Sequence, residues 1–356
     1  MRDPRTVNLM NKKSKIIIIT GQTATGKTAL ALEYARKYDG EIINCDSRQI
    51  YKYLDIITGK DIEGSSKLKT QISKPHLKSQ NFQKVKMLDN KYSIGFYKLR
   101  TINYKLLTKL WLYDIVKPDQ YFSSFDYQQC ALWVIKKILS EGKTPIIVGG
   151  TYLYLKHLLY GVETENIPPD WKLRKKLENK PAQELFAIYS KLLSQSSNQT
   201  DYVATQLNNS EKNNPQRLIR KIEIAKSNKH HHLDADRSKM VSHTILAQKL
   251  NLPKLKIELF GSKYKKKVEL RKAIESRVEK RLEEGALGEV KKLLKMGCSE
   301  NDPGLKTIGY QQLQAHLRGV LTKEEAINQW ISKEIQYAKR QYTFMKKDKN
   351  IQWRLV

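Results

Sequence analysis

Residues 16–28 read Ile-Ile-Ile-Ile-Thr-Gly-Gln-Thr-Ala-Thr-Gly-Lys-Thr. The four β-branched residues Ile16 to Ile19 suit a short strand buried on both faces and are too few to span a bilayer. They lead into Gly21-Gln22-Thr23-Ala24-Thr25-Gly26-Lys27-Thr28, which satisfies G-x-x-x-x-G-K-[ST] at every fixed position, and residues 29–36, Ala-Leu-Ala-Leu-Glu-Tyr-Ala-Arg, then read as a helix. Strand, glycine-bounded loop and helix together make the pattern a phosphate-binding P-loop. The glycines let successive N–H groups turn inward, and the helix N-terminus adds partial positive charge. Lys27 supplies an ammonium for phosphate oxygens, and Thr28 a hydroxyl for Mg²⁺. A di- or triphosphate is expected at residues 21–28; the loop alone does not say which molecule carries it.

Outward from this loop, residues 40–45 read as a second strand ending at Asp46-Ser47-Arg48-Gln49-Ile50-Tyr51. In doubly wound sheets ligands bind at that carboxyl edge. Asp46 is therefore a candidate base or metal ligand, or else the cap of the segment that follows. Residues 125–140 read as a helix and 144–148 as another short buried strand, which delivers Gly149-Gly150-Thr151 into a helix at 152–160. This second glycine turn either admits a ligand, with Thr151 offering its hydroxyl, or is only a tight corner.

Between Lys67 and Lys109 there are eleven basic residues and one acid, Asp89. The stretch is either solvated surface or a nucleic-acid-facing arm in which Phe82, Tyr92, Phe96, Tyr97 and Tyr104 interleave with the charges. Residues 93–116 have the alternation of one or two strands. From Gly161 the strand pattern disappears and residues 164–250 read as amphipathic helices joined by polar loops. A strand at 255–260 returns the chain to the sheet, followed by a long helix at 267–296 and a C-terminal one at 323–345. The expected fold is α/β: a P-loop NTPase-like core whose parallel sheet is flanked by helices, plus a mainly helical insertion domain. The expected divisions are 15–163 (with the basic insertion 61–110), 164–250 and 251–356.

The 356 residues carry 66 Lys+Arg against 36 Asp+Glu, a formal charge of +30 that favours a polyanion, nucleic acid before membrane. No apolar run spans a bilayer, and residues 1–15 lack the apolar segment of a secretory signal. Cys45, Cys130 and Cys298 fit neither a disulfide framework nor a zinc site and suit a reducing cytosol. His230-His231-His232 cannot share one helix face and read as a solvated loop.

Several separated segments together resemble the tRNA dimethylallyltransferases (tRNA isopentenyltransferases). The P-loop is similar to that family's G-x-T-A-[ST]-G-K-[ST], and Asp46-Ser47-Arg48-Gln49-Ile50-Tyr51 with Leu54-Asp55-Ile56 and Thr58-Gly59-Lys60 to its D-S-x-Q-x-Y and LDI-x-T-x-K stretch. Asp114-Ile115-Val116-Lys117-Pro118, Val148-Gly149-Gly150-Thr151-Tyr152-Leu153-Tyr154, Asn214-Pro215-Gln216-Arg217-Leu218-Ile219-Arg220, Lys306-Thr307-Ile308-Gly309-Tyr310-Gln311 and Tyr337-Ala338-Lys339-Arg340-Gln341 resemble further family signatures. The resemblance runs from about Ile16 to Trp353. It implies transfer of a dimethylallyl group from its diphosphate to the N6 of adenosine 37 beside the anticodon of tRNA, with Mg²⁺ as cofactor.

On that likeness Asp46 is the general base, Thr151 positions amine or diphosphate, and Lys27 and Arg277 bind diphosphate. Asp46, Ser47, Arg48, Gln49, Thr151, Arg174, Gln216, Arg217, Arg220, Lys306, Gly309, Tyr310 and Gln311 would hold the anticodon stem-loop. The implied partners are tRNA and dimethylallyl diphosphate, with no membrane, for a cytoplasmic monomer. Three positions depart from the family: Ala273 and Ile335 stand where arginines are common, and Phe344 where tryptophan is frequent. The alternatives are a small-molecule or nucleotide kinase, which shares the P-loop but leaves the basic excess unexplained, an adenylate isopentenyltransferase, and a non-catalytic P-loop RNA binder.

Overall fold

A computed structural model describes residues 14–60, 82–100, 106–161, 164, 167, 169–194, 207–227 and 244–356. Tyr104, His230 to His232 and most of the basic run before residue 82 lie outside the described residues.

The chain divides into two compact units, Met1–Tyr160 with Ser242–Val356, and Gly161–Val241. The first is built on β1 (Lys15–Gly21), α1 (Lys27–Lys37), β2 (Gly40–Asn44), β3 (Phe82–Leu88), β4 (Tyr92–Arg100), β5 (Leu106–Trp111), α2 (Ser124–Ser140), β6 (Thr144–Val148) and α3 (Tyr152–Tyr160). The second holds α4 (Trp171–Leu177), α5 (Ala182–Ser194), α6 (Asn209–Lys212) and α7 (Pro215–Lys226). The chain then returns to the first unit with α8 (Thr244–Leu250), β7 (Lys256–Lys263), α9 (Lys267–Glu283), α10 (Ala286–Lys295), α11 (Tyr310–Leu317), α12 (Lys323–Met345) and β8 (Gln352–Leu355).

One eight-stranded sheet runs β3-β4-β5-β2-β6-β1-β7-β8. From β5 to β8 every described pairing is parallel, whereas β3 and β4 add an antiparallel hairpin at one edge. The isoleucine run explains why β1 is central. Ile16 and Ile18 face one hydrophobic layer, Ile17 and Ile19 the other, and all four are fully buried. A strand covered on both faces has no polar side to offer, so it reads as a continuous apolar run. The carboxyl ends of β1, β2 and β6 converge, and the glycine turns and Asp46 leave the sheet there.

Three sequence expectations are corrected. The helix expected at 267–296 is two helices, because Gly285 adopts φ +99 between α9 and α10. A left-handed glycine ends a helix at little cost. The boundary expected at 250 falls earlier, since Leu246 and Leu250 of α8 join the core of the larger unit. Of the aromatic residues proposed for a nucleic-acid arm, Tyr92, Phe96 and Tyr97 are buried, Phe96 packing at 4.8 Å between ring centres on Trp111. Phe82 packs beside Tyr97 at 5.3 Å, so these rings build the hairpin's core and are not a stacking face.

The smaller unit has its own core, in which Leu173 and Leu177 meet Leu185, Tyr189, Leu218, Ile219 and Ile222.

Candidate active site

The P-loop begins where Gly21 reaches φ +134 beside β7; a Cβ there would lie 2.2 Å from the Ser262 carbonyl oxygen. Only glycine fits so close a crossing. Gln22 braces the turn. Its side-chain Nε2 donates to the Ala338 carbonyl at 3.3 Å and its Oε1 accepts from the Tyr264 amide at 3.1 Å. The Thr25 hydroxyl donates to the Gln22 carbonyl at 2.7 Å, and the Lys27 ammonium to the same oxygen at 2.5 Å. The Thr23 amide donates to Gln341 Oε1 at 2.9 Å, and the Thr23 hydroxyl takes a hydrogen bond from the Arg277 guanidinium. Gln22 and Thr23, both expected among the diphosphate ligands, thus also brace the loop through the Gln22 side chain and the Thr23 amide.

The second glycine turn is as tight. A Cβ on Gly149 would sit 2.0 Å from the Cys45 carbonyl, and one on Gly150 2.3 Å from Gln341 Nε2. That amide donates to the Gly150 carbonyl at 3.0 Å, so Gln341 of α12 ties both glycine turns together. Thr151 Oγ1 accepts from the Ser47 amide at 2.9 Å and bonds the Ser47 hydroxyl at 3.2 Å. The second turn therefore fixes the start of the segment that Asp46 begins.

For Asp46 the capping role is realised in part. Oδ1 accepts from the Arg48 amide at 2.9 Å and the Asp46 amide donates to Asn44 Oδ1 at 3.1 Å. Oδ2 makes no hydrogen bond among the described residues. The remainder of the segment is anchored from several sides. The Arg48 guanidinium donates to the Pro303 carbonyl at 3.3 Å, and Gln49 Nε2 to the Gly59 carbonyl at 2.6 Å. Buried Lys60 donates to the Tyr51 carbonyl at 2.6 Å, to Asp55 at 2.8 Å and to Asp114, which also accepts from the Tyr97 hydroxyl. Glu289 of α10 accepts from the Asp55, Ile56 and Ile57 amides at 2.8, 2.7 and 3.2 Å.

Electrostatics mark the corner where these pieces meet. Removal from water pushes the Lys27 ammonium down to about 7, the Arg277 charge pushes it further the same way, and Asp46 opposes them. Burial, and then the Asp46 charge, raise the Tyr337 and Tyr113 phenols above their ordinary range, so both are neutral beside the carboxylate. A corner with Lys27 and Arg277 on one side and Asp46 on the other can hold an anion and accept a proton. Among the described residues no group of three His, Cys, Asp or Glu side chains could hold a metal. A cavity of about 720 Å³ also borders the P-loop at Thr25 and Gly26, but it runs along α1 toward Arg354 and Asp46 is not in its wall.

Residues 100–348 match the model of the family described as IPP transferase. The chain belongs to that family. A tRNA dimethylallyltransferase of Acetivibrio thermocellus is 33% identical over 338 residues, covering 95% of this chain and 90% of the relative. One of Endomicrobium trichonymphae is 34% identical over 331 residues, covering 93% and 91%. The crystal structure of a tRNA isopentenylpyrophosphate transferase from Staphylococcus epidermidis superposes with a TM-score of 0.55 at 28% identity, covering 96% of this chain and 93% of that one.

Several residues that the family likeness assigned to RNA have other duties here. Tyr310 is fully buried, its hydroxyl on Glu289 at 2.5 Å, and a Cβ on Gly309 would lie 2.5 Å from Ile57. Both pack to seat α11, while Lys306 and Gln311 beside them are exposed. In the smaller unit Arg174 forms a two-pronged pair with buried Glu223 at 2.6 and 2.9 Å, and Arg220 joins the same carboxylate at 3.0 Å. Arg220 also donates to the Ile167 carbonyl at 2.8 Å. Gln216 and Arg217 are exposed at the start of α7, where Asn214 caps the Arg217 amide at 3.1 Å. Of the three departures from the IPP transferase pattern, Ala273 is half-buried on α9 one turn before Arg277. Ile335 packs against the main core, and Phe344 sets its edge on Tyr152 at 5.2 Å.

Sequence reasoning missed Gln341, Glu289 and Tyr337 as parts of the site's frame. Gln341 lies in a family signature, but its partners Thr23 and Gly150 are 318 and 191 residues away, beyond any local pattern.

Proposed function

We propose that this chain transfers a dimethylallyl group from dimethylallyl diphosphate to the N6 of adenosine 37 beside the anticodon of tRNA, giving N6-isopentenyladenosine. The observation that carries the reading is the corner itself: an IPP transferase P-loop with Lys27 and Arg277 faces a carboxylate, Asp46, that keeps one oxygen unbonded among the described residues. In the reaction the allylic C–O bond breaks, the diphosphate leaves, and a bond forms from the adenine N6 to the allylic carbon. The N6 proton goes to Asp46 Oδ2. Negative charge grows on the departing oxygens, where Lys27, Arg277 and P-loop donors stabilise it. The adenine leaves its stack to reach the corner, so base flipping belongs to the binding step.

Mg²⁺ fits as a substrate-borne ion: it keeps water and phosphate oxygens and asks little of the protein. Thr28 would offer its hydroxyl, and the ion would neutralise charge on the leaving diphosphate. The formal charge of +30 suits an RNA substrate. Among the described residues no helix is long and apolar enough to cross a membrane, and the enzyme is proposed to act as a cytoplasmic monomer.

The test is single-turnover transfer from radiolabelled dimethylallyl diphosphate to bulk tRNA, wild type beside Asp46→Ala. The variant is expected to lose about 10²- to 10⁴-fold in rate while still binding tRNA. Wild type that leaves tRNA unlabelled yet phosphorylates a small molecule from ATP overturns the reading in favour of a kinase.

A further inference from the structure

The β3–β4 hairpin extends the sheet beyond its parallel part, and its outer strand is the more basic of the two described sheet edges. Gln83 to Met87 are all exposed, so β3 is bare on both faces and, among the described residues, unpaired along one edge. Residues 82–100 contain five basic side chains and a single acid, Asp89. Lys84 and Lys86 of β3, and Lys91 of the turn, form no ion pair among the described residues; Lys86 lies 5.5 Å from the centre of the Trp133 ring. Elsewhere in this unit some partly buried lysines are paired, as Lys109 is with Glu41 and Glu141 at 3.0 and 2.9 Å.

The hairpin is rigidly placed. Asp89 and Asn90 take φ +50 and +54, the left-handed pair of a tight two-residue turn closed by the Lys91 amide on the Leu88 carbonyl at 3.0 Å. The Ser93 amide donates to the Ile115 carbonyl at 3.4 Å, and Tyr97 is tied to Asp114 and through it to Lys60. Because β4 runs against β5, the turn points to the same carboxyl edge as Asp46. From β2, which delivers Asp46, to β3 is three strand spacings, about 14 Å. Lysines on a free edge also discourage strand pairing. That role is served by charge of either sign, so it does not by itself call for three cations.

We propose that the outer edge of this hairpin, Lys84, Lys86 and Lys91, is a phosphate-backbone rail for the RNA whose adenosine enters the Asp46 corner. The inference rests on the reading of that corner as a tRNA-modifying site. It assigns the rail no base readout: three ammonium groups without planar donors recognise charge, not sequence.

The test is the affinity of the full-length protein for bulk tRNA as a function of NaCl, wild type against Lys84→Gln/Lys86→Gln/Lys91→Gln. The slope of log affinity against log salt is expected to become shallower by about 2 to 3, with a loss of at least about tenfold at low salt. The triple Lys→Arg variant is expected to keep the wild-type slope. Thermal midpoint and dimethylallyl diphosphate binding, both unaltered, show that the Gln variant is folded. An unchanged slope in that variant overturns the rail and leaves the lysines as edge protection. If wild type binds no tRNA, the function reading fails and the rail with it; tRNA labelling with an unchanged slope refutes only the rail.

Discussion

The corner at the P-loop and the helical unit Gly161–Val241 both concentrate arginine and lysine, and they treat them in opposite ways. In the helical unit Arg174 and Arg220 close on the carboxylate of Glu223, which burial would push up but which its two guanidinium partners hold below the ordinary carboxylate range. At the P-loop Lys27 is buried away from water, has Arg277 as a neighbour, and has only the Gln22 carbonyl and the Asp46 charge to set against them, so its charge is disfavoured. A buried carboxylate turns a cation into scaffold, whereas a second cation turns it into a receptor for an anion. A count of basic residues cannot separate these cases, and a motif cannot either.

The contrast can be broken from either side. Glu223→Ala leaves two arginines facing a vacant buried site and is expected to destabilise the helical unit by about 3 kcal/mol, read by hydrogen exchange of α4 and α7. Diphosphate binding at the other unit should survive; if stability is unchanged, the arginines are not structural. Arg277→Ala should do the reverse, lowering kcat/KM for dimethylallyl diphosphate about 10²-fold with urea stability within about 0.5 kcal/mol of wild type. An unaltered kcat/KM would remove Arg277 from the site.

Gln341→Ala sharpens the account of the frame. It leaves the Thr23 amide and the Gly150 carbonyl without their partner, and a loss of about 2 kcal/mol in stability is expected, measured by urea unfolding. The smallest effect concerns pH. Lys27 titrates at about 7 in the free protein, and a bound diphosphate must raise that value. Below pH 7 the ammonium is charged with or without ligand and adds no slope of its own; above it, binding takes up a proton at Lys27 and affinity falls by up to about tenfold per unit until the raised value is passed. Calorimetry in buffers of different ionisation enthalpy reads the uptake, which Lys27→Met should abolish. A pH-independent affinity from about pH 6 to about pH 9 in wild type would show that Lys27 stays charged throughout.

Much of this site was legible in the chain because its chemistry is local. A strand, a glycine-bounded loop and a helix lie within residues 15–37, and the second glycine turn lies within 144–160. The helix ends at Ser140 and Met345 and the strand Thr144–Val148 fall where the apolar pattern of the sequence places them. Gly285, which divides α9 from α10, is visible in the sequence, but an isolated glycine does not reveal that it takes a positive φ.

What the sequence by itself determined is the identity of the phosphate loop, the acid at the end of the next strand along the chain, the α/β fold and the basic balance that points to a polyanion. These rest on neighbours within one or two turns of chain, where backbone geometry is set by residue type. Only the tertiary structure decided which polar side chains are spent. Gln341 bridges two loops, Glu289 holds three amides of the Asp46 segment, Tyr310 is buried on Glu289, and Arg174 and Arg220 are closed on Glu223. The physical reason is that a hydrogen bond or ion pair is a property of a pair, and here, apart from Arg220 with Glu223 one turn away, the partners are brought together across tens to hundreds of residues by packing.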